Sequence, residues 1–439
     1  MIVLSIWDLR ALPITAISWS RSTQKAMLST TPDCLAFLHS LHVTLFPPLR
    51  NLTFSSLSAI RKTRPCKASL ITNSECFVVG RLIGSYGFMN VTSYPAFPSG
   101  AITEFSPGDL GELKIQDVRE GSVKIKLYEG RVSEGPLRGT SVVFKVYPGQ
   151  RAGGVEADMM AANELNAHLF LQSSPKHTSQ HLLTLVGGFE TRTGEQWLAF
   201  RDDGKYSVAD YAKAMSERVS KNRSLKEVSS WNCFEQEQTM KRRRYFIMKL
   251  LQGAMRGLAY MHGHDRLHQS LGPSSVVLNT ISEREARYLI PRLRDLAFSV
   301  DISYSKLEDY PPSLANGLWR RASAAGAVTR LEKRAFGIAD DIYEAGLLFA
   351  YLAFVPFCEA GIMDSISLQR LLENTFQLDV GATREYCLAD SRLENAVEFL
   401  DLDNGAGWEL LQAMLNPDFR KRPIAEAVLN HRFVTGSVL

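Results

Sequence analysis

Cysteine is scarce in this chain of 439 residues. The six, Cys34, Cys66, Cys76, Cys233, Cys358 and Cys387, show neither the paired spacing of a zinc site nor the density of a disulfide scaffold. The fold must therefore stand on an apolar core. A strong surplus of one charge is also lacking: the formal net charge is +4, and no nucleic-acid footprint follows from so small an excess. Long uninterrupted apolar runs are missing as well. Residues 76–99 come nearest, but Arg81, three glycines, Asn90 and Pro95 break the run and argue against a spanning helix. Association with a membrane surface stays open. What is present, 45% apolar and 22% charged residues, is the composition of a soluble globular protein long enough for two lobes or domains.

Much of the positive excess lies in the first 74 residues, where eight Lys or Arg face only Asp8 and Asp33. That segment is poor in acids and rich in Ser, Thr and Leu, the composition of an organellar transit peptide rather than of a secretory signal, which gathers its apolar residues in one block. Residues 1–68 are expected to be a disordered transit peptide, with cleavage near Cys66 to Ser69 and Met27 as an alternative start. Residues 69–109 then read as an extension or linker. A polar, mixed-charge stretch near 215–244 reads as an exposed insertion or a partner surface, and 435–439 as a tail.

Chemistry is concentrated further on. TSVVFKVY (140–147) is a β-branched and aromatic strand carrying one Lys, Lys145, and nineteen residues later Glu164 sits on the helical run 157–171, with Glu156 as a competing acid. QWLAFRDDG (196–204) reads as a strand leading into a turn. HDRLHQSLGPSSVVLN (264–279) precedes RLRDLAFS (292–299), which carries Asp295. ADDIYEAGLLFAYLAF (339–354) is an apolar helix holding Asp341 and Gly346, and WELLQAMLNPDFRKRPIAEAVLNHRF (408–433) closes the chain with Arg422.

In order and spacing these segments resemble the eukaryotic-like protein kinases over about residues 110–434, with most similarity to the plant thylakoid state-transition serine/threonine kinases. The resemblance implies an α+β, two-lobed fold: a small β-rich lobe with helix C at 110–204 and a larger helical lobe at 205–434. It places Lys145 and Glu164 as the ion pair over the nucleotide, Asp295 as the magnesium-binding Asp, and Val143, Val132, Val277 and the gatekeeper Phe200 around the adenine. Counting back from Lys145 puts the phosphate-clamping loop at 124–132. Only Gly130 and Val132 of its pattern survive there, Ile125 and Leu127 standing at the other two glycine places. Residues 80–91, GRLIGSYGFMNV, look more like that loop but lie over fifty residues before Lys145, too far for a hairpin between adjacent strands.

The departures bear on catalysis. Ser270 stands at the catalytic Asp, Ser275 at the metal-binding Asn, Gln269 at the neighbouring Arg and Ala297 at the Gly of the magnesium motif, while Asp265 is a distant stand-in for the lost base. A hydroxyl cannot orient an acceptor and take its proton as a carboxylate does. The leading expectation is a plastid pseudokinase, stromal or thylakoid-associated, acting as a regulatory or scaffold module toward a protein partner. Any binding of ATP and magnesium is expected to be weak and to depend on Lys145 and Asp295. The alternative is an unconventional but active kinase transferring the ATP γ-phosphoryl to Ser or Thr of a protein substrate. No APE triplet lies between Asp295 and Asp341, leaving Glu332 as the nearest acid for Arg422.

Overall fold

The structure is a computed structural model that describes residues 70–87, 123–173, 179–226, 233–303 and 315–436. The expected leader at 1–68 lies outside these residues, as do positions 437–439 of the expected tail. Strands β1 (Phe77–Gly87), β2 (Lys124–Val132) and β3 (Ser141–Tyr147) precede helix α1 (Gln150–Ser173), and β4 (Leu185–Glu190) and β5 (Gln196–Arg201) follow it. They form one antiparallel sheet in the order β1-β2-β3-β5-β4. The strand expected at 140–147 and the helix expected from 157 are both present, the helix extended toward its N-terminus.

The two-residue period of β3 sorts its side chains. Val142, Phe144 and Val146 pack on one face with Phe77, Val132, Val186, Phe189 and Ala199, which leaves Val143 and Lys145 on the other. On the packed face the Phe77 and Phe144 rings meet edge to face at 5.4 Å.

The first strand corrects two expectations. Residues 77–87 are not a linker: they form the edge strand, registered from Phe77 opposite Val132 to Gly87 opposite Lys124. The glycine-bearing segment set aside for its distance is therefore the partner of β2, and the connection between them, 88–123, is far longer than a hairpin loop. The rule that sequential strands join through short loops failed because of that insertion. Just upstream, the Ile71 amide donates to Val186 at 3.1 Å and the Gly188 amide to the Ile71 carbonyl at 2.9 Å, tying the start of the described chain to β4. Gly187 permits this approach, since a Cβ there would run into the Ile71 carbonyl oxygen.

Gly130 and Val132 consequently do not belong to a phosphate loop. Val132 is buried beside Phe77, and Gly130 is a packing glycine whose Cβ would collide with the Phe144 ring and the Val78 carbonyl. Gly130→Ala should destabilise the protein by about 1–3 kcal/mol, the usual cost of overpacking. Chemical denaturation of the variant beside the parent checks it.

The remaining chain is mostly helical. β6 (Tyr206–Ser207) leads into α2 (Val208–Lys226) and α3 (Cys233–His262), so the polar stretch read as an insertion is built largely from the end of one helix and the start of the next. Short strands β7 (Arg266–Leu267), β8 (Val276–Leu278), β9 (Arg292–Leu293) and β10 (Val300–Asp301) frame the 264–303 region, and α4 (Asn316–Ala324) precedes α5 (Arg330–Phe354). No helix among the described residues is long and apolar enough to cross a membrane.

Helix α5 opens with a Thr329/Glu332 capping box and is buried at nearly every position from Phe336 to Phe354. Its Gly346 lets Leu415 and Met414 approach, a Cβ there falling 2.8 Å from Leu415. Glu332 is spent on that cap and lies 3.9 Å from Arg420. Arg422 instead donates to the carbonyls of Asn416 and Ala339 at 2.7 and 3.1 Å, so the expected Glu332–Arg422 pairing is not formed.

Candidate functional site

Asp341 on α5 sets the geometry of the 264–279 loop. Its buried carboxylate accepts the backbone amides of His268 and Gln269 at 2.8 and 2.9 Å, the Gln269 side-chain amide at 3.0 Å, and contacts His262 Nε2 at 2.9 Å. Those bonds hold its carboxyl below the usual range although burial pushes the other way. Gln269 thus adopts a left-handed conformation, φ 59°, with its side chain turned into the core. His268 donates from Nε2 to the Arg294 carbonyl at 3.0 Å and accepts the Ser270 amide on Nδ1 at 3.3 Å. Burial lowers its pKa, and the two bonds together fix a neutral ring.

Ser270 and Ser275 both spend their hydroxyls on backbone carbonyls. Ser270 Oγ donates to the Asp295 carbonyl at 2.8 Å. Ser275 Oγ donates to the Gly272 carbonyl at 2.9 Å and accepts the Gly272 amide at 2.8 Å. Asp265 is turned away, pairing with Arg334 at 2.6 Å, so it does not replace the missing carboxylate.

An open cleft lies beside this loop. Leu127, Val143, Leu183, Phe200 and Val277 give it an apolar slot, and Tyr86, Lys145, Glu164, Arg294 and Asp295 line its charged end. Lys145, Glu164, Val143, Phe200, Val277 and Asp295 are therefore brought together, whereas Gly130 and Val132 are not among its walls.

Lys145 Nζ sits 2.6 Å from Glu164 Oε2 and 2.7 Å from Asp295 Oδ1, all three side chains buried. Glu156, the competing acid, is exposed. Tyr147 donates its hydroxyl to Glu164. Burial alone would lower the Lys145 pKa, but the two carboxylates raise it well above the ordinary value, so the ammonium is fixed. Helix α1 is clamped onto the Asp295 segment by Asn163, whose amide donates to Ala297 and Ser299 carbonyls at 2.7 and 2.8 Å. Asp295 itself is left-handed, φ 66°, a conformation that Asp tolerates better than most residues.

Two site residues escaped the sequence reading. Tyr86, at the end of β1, donates its hydroxyl to Asp295 Oδ1 at 2.8 Å. Arg294 places Nε 3.1 Å from Asp295 Oδ2 and 2.9 Å from the Ser274 carbonyl, to which it donates. The phenol ring lies between two cations, 5.9 Å from Lys145 Nζ and 5.8 Å from Arg294 Cζ. The signal for Tyr86 was in the glycine-bearing segment that chain distance had excluded. For Arg294 the only cue was its adjacency to Asp295.

Behind the slot, His168 packs edge-on against Phe200 at 5.0 Å and is 1% exposed. Burial, helped by Lys145, lowers its pKa to about 3. Its imidazole stays neutral in the native state while the unfolded chain takes a proton near the ordinary value of 6.5. The unfolded state thus binds more protons between these values, and stability falls as pH falls from 6.5 toward 3, by about 1 kcal/mol per unit from this residue. His168→Leu should flatten the acid limb of a denaturation series by that slope.

No family model matches the chain. Over 202 residues, 42% of this chain, it is 27% identical to the chloroplastic serine/threonine-protein kinase STN7 of Arabidopsis thaliana. The match spans 35% of that protein, so the chain covers about a third of its relative's length. The likeness supports a kinase-like relationship, and the mixed α+β architecture with its five-stranded antiparallel sheet is compatible with a kinase-like fold.

Proposed function

We propose that the protein is a two-lobed, kinase-like module of the plastid that holds a nucleotide weakly and works as a pseudokinase, through contacts to a protein partner rather than through phosphate transfer. The observation carrying this reading is the loop 268–275, where the two positions that the kinase resemblance gives to the catalytic Asp and the metal-binding Asn are serines whose hydroxyls are tied to backbone carbonyls. With positioning and electrostatics supplying most of the catalysis in phosphoryl transfer, loss of both groups is severe. Support for nucleotide binding comes from the apolar slot of Val143, Phe200 and Val277 beside the buried Lys145–Glu164 pair. Support for the plastid comes from the acid-poor leader composition and from the chloroplast relative.

Thermal-shift measurement with an ATP analogue tests the pocket. A small stabilisation is expected that Lys145→Ala and the slot-filling Val143→Phe both remove, each read against its own nucleotide-free midpoint. Equal stabilisation of both variants and the parent would place the nucleotide elsewhere. A fluorescent reporter carrying residues 1–75 should enter plastids, and a diffuse cytosolic signal would refute the address.

A further inference from the structure

The kinase resemblance implies magnesium between Asp295 and the phosphates, and the side chains present do not fit it. A hard divalent cation needs several oxygen ligands with free lone pairs. Here Asp295 Oδ1 already takes Lys145 and the Tyr86 hydroxyl, at 2.7 and 2.8 Å, and Oδ2 faces Arg294 at 3.1 Å. The second ligand position is Ser275, spent on Gly272. Among the described residues no cluster of three or more His, Cys, Asp or Glu could hold a metal.

Arg294 supplies an alternative. One edge of its guanidinium is anchored through Nε to Ser274 and Asp295, while its two Nη groups bond nothing among the described residues and the side chain lines the cleft. A planar fork with one edge fixed and the other facing a cavity is preorganised for bidentate capture of a phosphate.

We infer that this pocket takes the polyphosphate of a nucleotide as a free anion, with the Arg294 guanidinium and the Lys145 ammonium doing the charge neutralisation that a divalent cation performs elsewhere. The inference rests on the proposed nucleotide pocket and specifies its ligand. Tyr86 occupies the position the phosphates would take and must leave Asp295 as they enter, which accounts for weak binding.

The test is titration of a fluorescent ATP analogue into the full chain, once with a chelator and once with magnesium. Affinity is expected to be as tight in chelator as in magnesium. Arg294→Ala should weaken the chelator value by about tenfold, as loss of a charge-assisted bidentate contact does, and Tyr86→Phe should tighten it. Asp295→Asn, which keeps the side-chain shape, should tighten binding in chelator because one negative charge beside the phosphates is gone. Binding that requires magnesium and is lost in Asp295→Asn would overturn the inference and leave the nucleotide pocket standing. So would metal-free binding that ignores Arg294→Ala in a variant of unchanged melting temperature. No binding in either buffer would overturn both the inference and the pocket.

Discussion

Ser270→Asp combined with Ser275→Asn should raise phosphate transfer above the parent's background, and adding Arg294→Leu should raise it further. The first pair restores an acceptor-orienting carboxylate and a metal-facing amide. A positioned general base contributes roughly 10²–10⁴-fold in an intact site. The pair alone is expected to recover only about tenfold of that, because Asp295 remains saturated by Lys145, Tyr86 and Arg294. Removing the guanidinium frees Oδ2, so the triple variant should exceed the double. Single-turnover measurements with a generic Ser/Thr substrate, at labelled ATP high enough to saturate the weaker-binding Arg294 variant, give the order. A triple variant no faster than the double would show that Arg294 does not block the carboxylate.

Lys145→Met should be the most destabilising single change in the cleft, by about 3–5 kcal/mol, the cost of breaking a buried ionic group by removing one partner. Glu164 and Asp295 share this ammonium at 2.6 and 2.7 Å, and both are buried. Without it two carboxylates face one another with little water to screen them. Arg294 remains on Asp295, so Glu164 carries most of the penalty. Lys145→Met with Glu164→Gln should therefore recover part of the loss, a coupling that a double-mutant cycle in denaturant measures directly. Additive effects would mean that the ion pair contributes little to the fold.

The sheet and its lysine were legible because local signals agreed with the fold. TSVVFKVY has the branched and aromatic residues of a strand, and the two-residue period puts Lys145 opposite the Phe144 face. Glu164 and Asp341 were placed by the kinase resemblance, Glu164 at its spacing from Lys145 and Asp341 within the apolar helix 339–354. The glycine-bearing strand was lost for a physical reason: chain separation is a fair guide only where connections are short, and residues 88–123 break that condition. Placing the loop at 124–132 then misread Gly130, whose lack of a Cβ serves the Phe144 ring. Arg294 and Tyr86 were not legible from spacing. They converge on Asp295 from 209 residues apart in the case of Tyr86, and no local pattern marks which side chain will close over a carboxylate. The polar stretch near 215–244, read as an exposed insertion or a partner surface, has its helical charge spacing taken up by the end of α2 and the start of α3.

The central claim is that the cleft holds a nucleotide without using it. Incubating the protein in excess over γ-labelled ATP, then recovering both the nucleotide and the protein, tests this in one sample. Intact ATP, unlabelled protein and no transfer to an added Ser/Thr substrate are expected. ADP together with labelled Ser or Thr, abolished by Asp295→Ala, would contradict it and establish an active kinase.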